Sequence, residues 1–429
     1  MKHIFVLFLT CLVLVSCQQR KVAEYTPLPM DLSPYQTTEV THYDDLLTEQ
    51  PQATYTVRAG MLLPLTGDQA KLGEHLRNAA LLGQFDSNND NLILQFYDTK
   101  GTAEGAKEAF QQARDENIQV ILGPVFADEV KAIKDSAQWY NIPVIAFSSD
   151  PDVLGRGVYT MALSLSEQIE RVVRFACDQG KTKLAIMAPD SKAGDITYLA
   201  AKEAAENCGM TLAAESFYNP TYINFEPYVL KVLPPNFEQK KSKKNEEAEE
   251  TPIADLLNFD TLLIADEGNR LKSIAALFAL YDVTPDVVMF IGMSQWQDPS
   301  LTKEGALIGS YFPSLVRPDY VAFEKKYKDA YGKKPLRLAS LSYDAVKLIA
   351  FLGQNGQITQ EALTQPNGFR GTDGLFRFRK DGTSERLLGV SQIRPKNRFR
   401  IIERPSATFS EEESLRGRSN DSSMTFFWE

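Results

Sequence analysis

From Tyr55 onward, short apolar runs alternate with amphipathic stretches, and that rhythm admits few folds: it calls for a parallel sheet with helices over both faces. Val57 to Leu63 reads as a strand, about 68 to 85 as a helix, Leu92 to Tyr97 as a strand and about 103 to 116 as a helix. Gln119 to Leu122, about 127 to 140 and Pro143 to Phe147 continue as strand, helix, strand. A second series follows, with a helix at about 165 to 179, a strand at Leu184 to Met187, a helix at about 196 to 208 and a strand at Leu212 to Phe217. Thr261 to Ile264, about 270 to 280 and Val287 to Ile291 then add strand, helix, strand. The expected class is α/β, with two doubly wound parallel-sheet lobes in tandem.

The chain opens differently. Met1-Lys2-His3 is a short basic start, Ile4 to Val15 an apolar run, and Leu14-Val15-Ser16-Cys17 a small-residue close before a cysteine. The run is too short to span a bilayer as a helix, which needs about 20 residues. This start resembles a bacterial lipoprotein signal with its lipobox. The resemblance implies that residues 1–16 are removed and that Cys17, then the first residue, carries the acyl chains that hold the protein on the membrane face. In Gram-negative lipoproteins an aspartate after the cysteine favours the inner membrane. Gln18 stands here, so the expected place is the outer membrane, facing the periplasm.

Residues 17–54 are polar, with Pro27, Pro29, Pro34 and Pro51 and no sustained periodicity; they read as an extended tether, or as a strap over the body. Residues 239–251 run through lysines and then glutamates and cannot build a core. A solvated insertion and a docking segment for a charged partner are the two readings. Past about Arg404 the chain turns polar and serine-rich, which predicts a disordered tail over 404–429 with an aromatic tip at Phe426, Phe427 and Trp428.

Composition narrows the chemistry. A net charge of −10 argues against a nucleic-acid partner. Of four cysteines, Cys11 leaves with the signal and Cys17 is lipidated, so Cys177 and Cys208 remain in an oxidising compartment. A disulfide between them and two buried free thiols both fit their positions near the ends of consecutive helices. Histidine occurs only at His3, His42 and His75, which leaves one imidazole for the folded body. Without a His/Cys cluster at ligand spacing, a Ser-His-Asp set or a phosphate-cradling glycine loop, neither a metal, nor a cofactor, nor a catalytic residue is expected.

The body also resembles a known family. Ala59-Gly60-Met61-Leu62-Leu63-Pro64-Leu65-Thr66-Gly67, Tyr97-Asp98-Thr99, Ile121-Leu122-Gly123-Pro124-Val125, Asn141-Ile142-Pro143-Val144-Ile145 and Ser342-Tyr343-Asp344-Ala345 are similar, in order and approximate spacing, to type 1 periplasmic binding proteins. The resemblance implies two lobes facing across a cleft, with three chain crossings: 55–160 and 313–380 as lobe 1, 161–312 and 381–403 as lobe 2. It makes Leu65, Thr66, Gly67, Phe126, Ala127, Asp128, Phe147, Ser148 and Ser149 the cleft residues of lobe 1, and Asp195, Tyr198, Ser294 and Gln295 those of lobe 2.

Amino-acid receptors of that family place serines after the Gly-Pro pair to hold the ligand carboxylate; here Phe126, Ala127, Asp128 and Glu129 follow. Two acids at a helix start repel an anion, and Asp128 is expected to cap the helix itself. These departures resemble the penicillin-binding protein activators, outer-membrane lipoproteins of the same fold. So do Ile291-Gly292-Met293-Ser294-Gln295-Trp296, Tyr311-Phe312-Pro313-Ser314 and Gly368-Phe369-Arg370-Gly371-Thr372-Asp373-Gly374. The best-known members set a helical-repeat domain before this one, and residues 17–54 are too few to supply it. The implied function is non-catalytic contact with a bifunctional peptidoglycan synthase. The alternative is a lipid-anchored receptor delivering an amino acid or related small polar solute to an ABC importer.

Overall fold

The computed structural model describes residues 56–235, 237, 252–315, 318–354 and 358–413. The signal, Cys17, the tether, the charged insertion 239–251 and residues 414–429 lie outside them. All the described residues fall within one unit.

Lobe 1 runs β1 (Val57–Leu63), α1 (Ala70–Ser87), β2 (Leu92–Asp98), α2 (Ala103–Asp115), β3 (Val120–Leu122), α3 (Ala127–Trp139), β4 (Val144–Ala146) and β5 (Val158–Thr160). Its five parallel strands take the order β2-β1-β3-β4-β5. Lobe 2 runs α4 (Leu165–Asp178), β6 (Lys183–Pro189), α5 (Lys192–Asn207), β7 (Thr211–Tyr218), α6 (Glu226–Val232), α7 (Ile253–Leu256), β8 (Thr261–Ile264), α8 (Gly268–Leu280), β9 (Met289–Ile291) and β10 (Tyr311–Ser314). The chain then returns through α9 (Pro318–Tyr331), α10 (Ala339–Gln354), α11 (Gln360–Leu363) and the antiparallel strands β11 (Phe369–Gly371), β12 (Gly374–Phe378) and β13 (Ser384–Arg386). It finishes in lobe 2 with β14 (Gly389–Arg394) and β15 (Arg398–Glu403), which extend that sheet to the order β15-β14-β10-β9-β8-β6-β7.

Each sheet has an apolar core on both faces, as a doubly wound sheet requires. In lobe 1 one core gathers Met61, Leu76, Leu122, Ile145 and Ile349, and the other Leu62, Phe110, Ile121 and Ile133. In lobe 2 Leu262, Ile274, Phe290 and Phe312 fill one side, Ile186, Ile169, Leu263 and Ile291 the other. The alternation of neighbours such as Met61/Leu62 and Leu262/Leu263 between faces is the two-residue period of a strand. The first helix after each lobe's first strand docks through a glycine: a Cβ on Gly73 would stand 2.0 Å from the Pro64 carbonyl, and one on Gly194 1.8 Å from that of Pro189. Only glycine lets these helix starts sit so close to the strand ends, which fixes where the loops between them emerge.

Three positions depart from the expected layout. Pro313 and Ser314 belong to the lobe 2 sheet, paired with Val390 and Gly389, because β10 continues parallel to β9 before the chain crosses. Ser384–Arg386 pairs with β12, whose Phe376 and Phe378 are buried in the lobe 1 core, so this strand stays with lobe 1. Residues 404–413 are ordered onto the body rather than free. Phe409 is buried under the Arg377 guanidinium, 4.3 Å from its ring, Glu413 pairs with Arg377 at 2.7 Å, and Glu412 pairs with Arg174. One aromatic anchor and two arginines outweigh the polar composition there. Cys177 and Cys208 are joined as a disulfide, Cα to Cα 6.3 Å, tying the end of α4 to that of α5.

Candidate functional site

Both lobes share one strand order: second, first, third, fourth, fifth. In such a sheet the loops leaving the first and third strands turn to opposite faces, and the crevice between them at the carboxyl ends is where α/β folds take ligands. The site therefore lies where β1 and β3 of lobe 1 end opposite β6 and β8 of lobe 2.

In lobe 1 the Leu65-Thr66-Gly67 loop is organised by Asp98, at the end of β2. Its carboxylate accepts from the Leu65 and Thr66 amides at 2.9 and 3.2 Å, the Thr66 hydroxyl at 2.5 Å and the Lys100 amide at 2.8 Å. Burial pushes this carboxyl up, but the Thr66 hydroxyl and the three amides outweigh it and hold the group below its usual range. After β3 the cap on α3 is Glu129, not Asp128. The Glu129 carboxylate reaches back to the Val125 and Phe126 amides at 3.2 and 2.9 Å, while Asp128 stands exposed one residue earlier. Phe126 sits at the N-cap position and has no acceptor of its own, so a buried glutamate three residues on does the capping alone. Burial raises the Glu129 carboxyl, with Thr99 and the two amides drawing it back.

After β4, Phe147 is a core residue and not cleft lining. Ser148 is buried, its hydroxyl accepting from the Asp150 amide at 3.2 Å, whereas Ser149 is exposed. Leu65, Phe126 and Ala127 are half-buried against the cores, and Gly67 is exposed with φ of 78°.

Lobe 2 presents a denser wall. At the end of β8 the buried Asp266 carboxylate takes the Glu267 amide at 2.7 Å, the Arg270 guanidinium at 2.8 Å and the Tyr218 hydroxyl, while its carbonyl takes the Trp296 indole N–H at 2.9 Å. Burial, then Asp266 beside it, drives the Tyr218 hydroxyl far above the usual phenol range. Trp296 is fully buried against Gly292, where any Cβ would stand 2.0 Å from its ring. Ser294 gives its amide to Gln168 at 3.0 Å and its hydroxyl to Gln295 at 3.4 Å. Asp195, in the first turn of α5, is exposed. Tyr198 is turned away from the crevice: its ring meets Phe217 edge-on at 5.4 Å and its hydroxyl bonds Glu215 on β7.

The two walls are pinned together. Lys192, first residue of α5, bonds Asp150 and Asp152 of lobe 1, each at 2.6 Å. Sequence reading missed Glu129, Lys192, Asp266, Tyr218 and Arg270 as site residues. A local signal existed for Asp266, an acid two residues after the apolar run Thr261–Ile264; none existed for Lys192, whose partners lie about 40 residues earlier.

His75 is buried on α1, its Nδ1 taking the Leu336 amide at 3.3 Å and lying 3.0 Å from the Tyr327 hydroxyl; burial, then Lys333, lowers its pKa. Among the described residues no group of three or more His, Cys, Asp or Glu is placed to hold a metal. No helix among them is long and apolar enough to cross a membrane.

A family profile described as periplasmic binding protein matches residues 56–393. A 104-residue stretch is 31% identical to the penicillin-binding protein activator LpoA of Haemophilus ducreyi, covering 24% of this chain and 17% of that protein's length. Among solved structures, a branched-chain amino acid ABC transporter periplasmic ligand-binding protein of Burkholderia xenovorans superposes with a TM-score of 0.61 at 14% identity, over 81% of this chain and 94% of the other. The C-domain of LpoA from Haemophilus influenzae, a regulator of PBP1A, superposes at 0.57 with 17% identity, over 80% and 99%. At these identities the structures speak for the fold alone.

Proposed function

The chain belongs to the periplasmic binding protein family, and from that premise we propose that it is a non-catalytic, periplasm-facing regulator that binds and stimulates a bifunctional peptidoglycan synthase. The observation that carries this reading is Glu129. The Val125 and Phe126 amides at the start of α3, where a free amino acid would seat its carboxylate, are already taken by the protein's own carboxylate. The likeness to a penicillin-binding protein activator supports the same direction. On this reading residues 1–16 are removed, Cys17 bears the lipid anchor in the outer membrane and 17–54 form the tether that lifts the two lobes toward the synthase. The cleft residues of both lobes then serve as a fixed contact surface rather than as a ligand trap.

The test is reconstitution. Detergent-solubilised full-length protein added to a purified bifunctional synthase should raise its rate of glycan polymerisation or cross-linking several-fold, and amino acids should not raise the melting temperature. The second reading, a solute receptor for an ABC importer, draws on the superposition with a transporter ligand-binding protein. Stabilisation by one class of amino acid, without stimulation of any synthase, would establish it instead.

A further inference from the structure

Lobe 1 carries a second cavity at the amino ends of β4 and β5, the end of the sheet away from the crevice. It holds about 640 Å³ and is walled by the last turn of α3, the segment entering β5, and α11. That volume is in the range of small-molecule sites. Its floor is Tyr159, fully buried, with its ring 5.3 Å from Phe378 and its hydroxyl without a hydrogen-bond partner. That hydroxyl is sealed beneath the floor rather than open to the cavity. On the rim stand Arg156 and Glu361, both exposed and both without a counter-ion among the described residues. The Tyr159 hydroxyl feels both charges: burial raises its pKa, Glu361 raises it further and Arg156 opposes. Asn141 and Gln360 add side-chain amides to the same wall.

A cation and an anion on one rim, with neutral amides on the same wall, match a ligand with opposite charges at its two ends and amides along its length. We propose that this cavity is a binding site for a short zwitterionic peptide, its carboxylate at Arg156, its ammonium at Glu361 and its backbone amides along Asn141 and Gln360. A single amino acid leaves most of the volume unfilled. The site is separate from the crevice and independent of the synthase reading.

The experiment is calorimetric titration of the detergent-solubilised full-length chain with tri-alanine, N-acetyl-tri-alanine, tri-alanine amide and alanine. Tri-alanine should bind, and each blocked peptide should bind about tenfold more weakly for loss of one charge-assisted contact. Arg156→Gln should weaken tri-alanine but leave the amide-blocked peptide unchanged, and Glu361→Gln should do the same for the acetylated one. Both residues are exposed, so these variants fold. Tyr159→Phe, which removes an unpartnered group sealed beneath the floor, should keep or raise the melting temperature and leave tri-alanine binding unchanged. Absence of tri-alanine binding, or binding that neither Arg156→Gln nor Glu361→Gln alters, overturns the proposal.

Discussion

Glu129 and Asp128 are adjacent acids with opposite fates. One methylene more of reach and a position one residue later let Glu129 fold back on the amides before α3, while Asp128 points to solvent. Glu129→Ala leaves two amides at a buried helix start without their acceptor, so it should cost about 1–3 kcal/mol in urea unfolding. Asp128→Ser should stay within about 0.5 kcal/mol. Equal losses would sink the assignment. A second acid sets a pH dependence. Glu167, at the start of α4, is buried with neither carboxylate oxygen hydrogen-bonded, and burial pushes its carboxyl up to about 8 from 4.5, with Arg379 opposing. Between those values the folded protein keeps a proton that the unfolded chain has released, so stability falls as pH rises through the window. Asp344, pushed up to about 7 by burial and by Asp373, acts in the same direction. Glu167→Gln cannot ionise, so its stability should decline less between pH 5 and 8 than that of the unsubstituted protein. Parallel declines would show that Glu167 is not the proton holder.

At the scale of elements, the disulfide joins the ends of α4 and α5 across a sequence separation of 31. Closing a loop of that size restricts the unfolded chain, and the Cys177→Ala/Cys208→Ala variant should lose about 2–4 kcal/mol. Reductant should bring the unsubstituted protein to the same melting temperature and leave the variant unmoved; a reductant-insensitive protein would mean that the thiols are free. The βα units were legible in the residues because apolar runs such as Val57–Leu63 and Thr261–Ile264 are bounded by turns and followed by amphipathic stretches. The α5 start was read four residues late, since Lys192-Ala193-Gly194-Asp195 holds no large apolar side chain and only the Ser191 cap, accepting from Gly194, marks it. Of strands β11 to β13 only the turn at Gly371 and Gly374 into β12 was legible: with three to five residues each, their hold is on cores and crossings remote in sequence, as when Ser384 bonds the Ala162 carbonyl. The site divides in the same way. The loops that border it follow from strand ends, whereas Tyr198 and Phe147 were misplaced because which way a side chain turns depends on what packs behind it.

For the whole molecule the deciding contact is the one between lobes. Lys192 spans the crevice to Asp150 and Asp152, and a two-lobed protein whose mouth is held by its own ion pairs has less need of a ligand to close it. Burial pushes the Asp150 carboxyl up, but Lys192 and the Asp152 amide more than reverse this and hold it below the usual carboxylate range. The Asp150 half of the bridge therefore persists to lower pH than an ordinary aspartate would allow. Exposed pairs of this kind are screened by salt, so the consequence is read in geometry rather than in stability. With spin labels on Lys107→Cys and Glu203→Cys, one on each lobe, the unsubstituted background should give one narrow distance distribution that amino acids do not shift. Lys192→Ala should broaden it toward longer distances, and high salt should do so in part. If the distribution is already broad with Lys192 present and narrows when a solute is added, the lobes close on that solute, and the protein works as a receptor rather than as a fixed surface for a synthase.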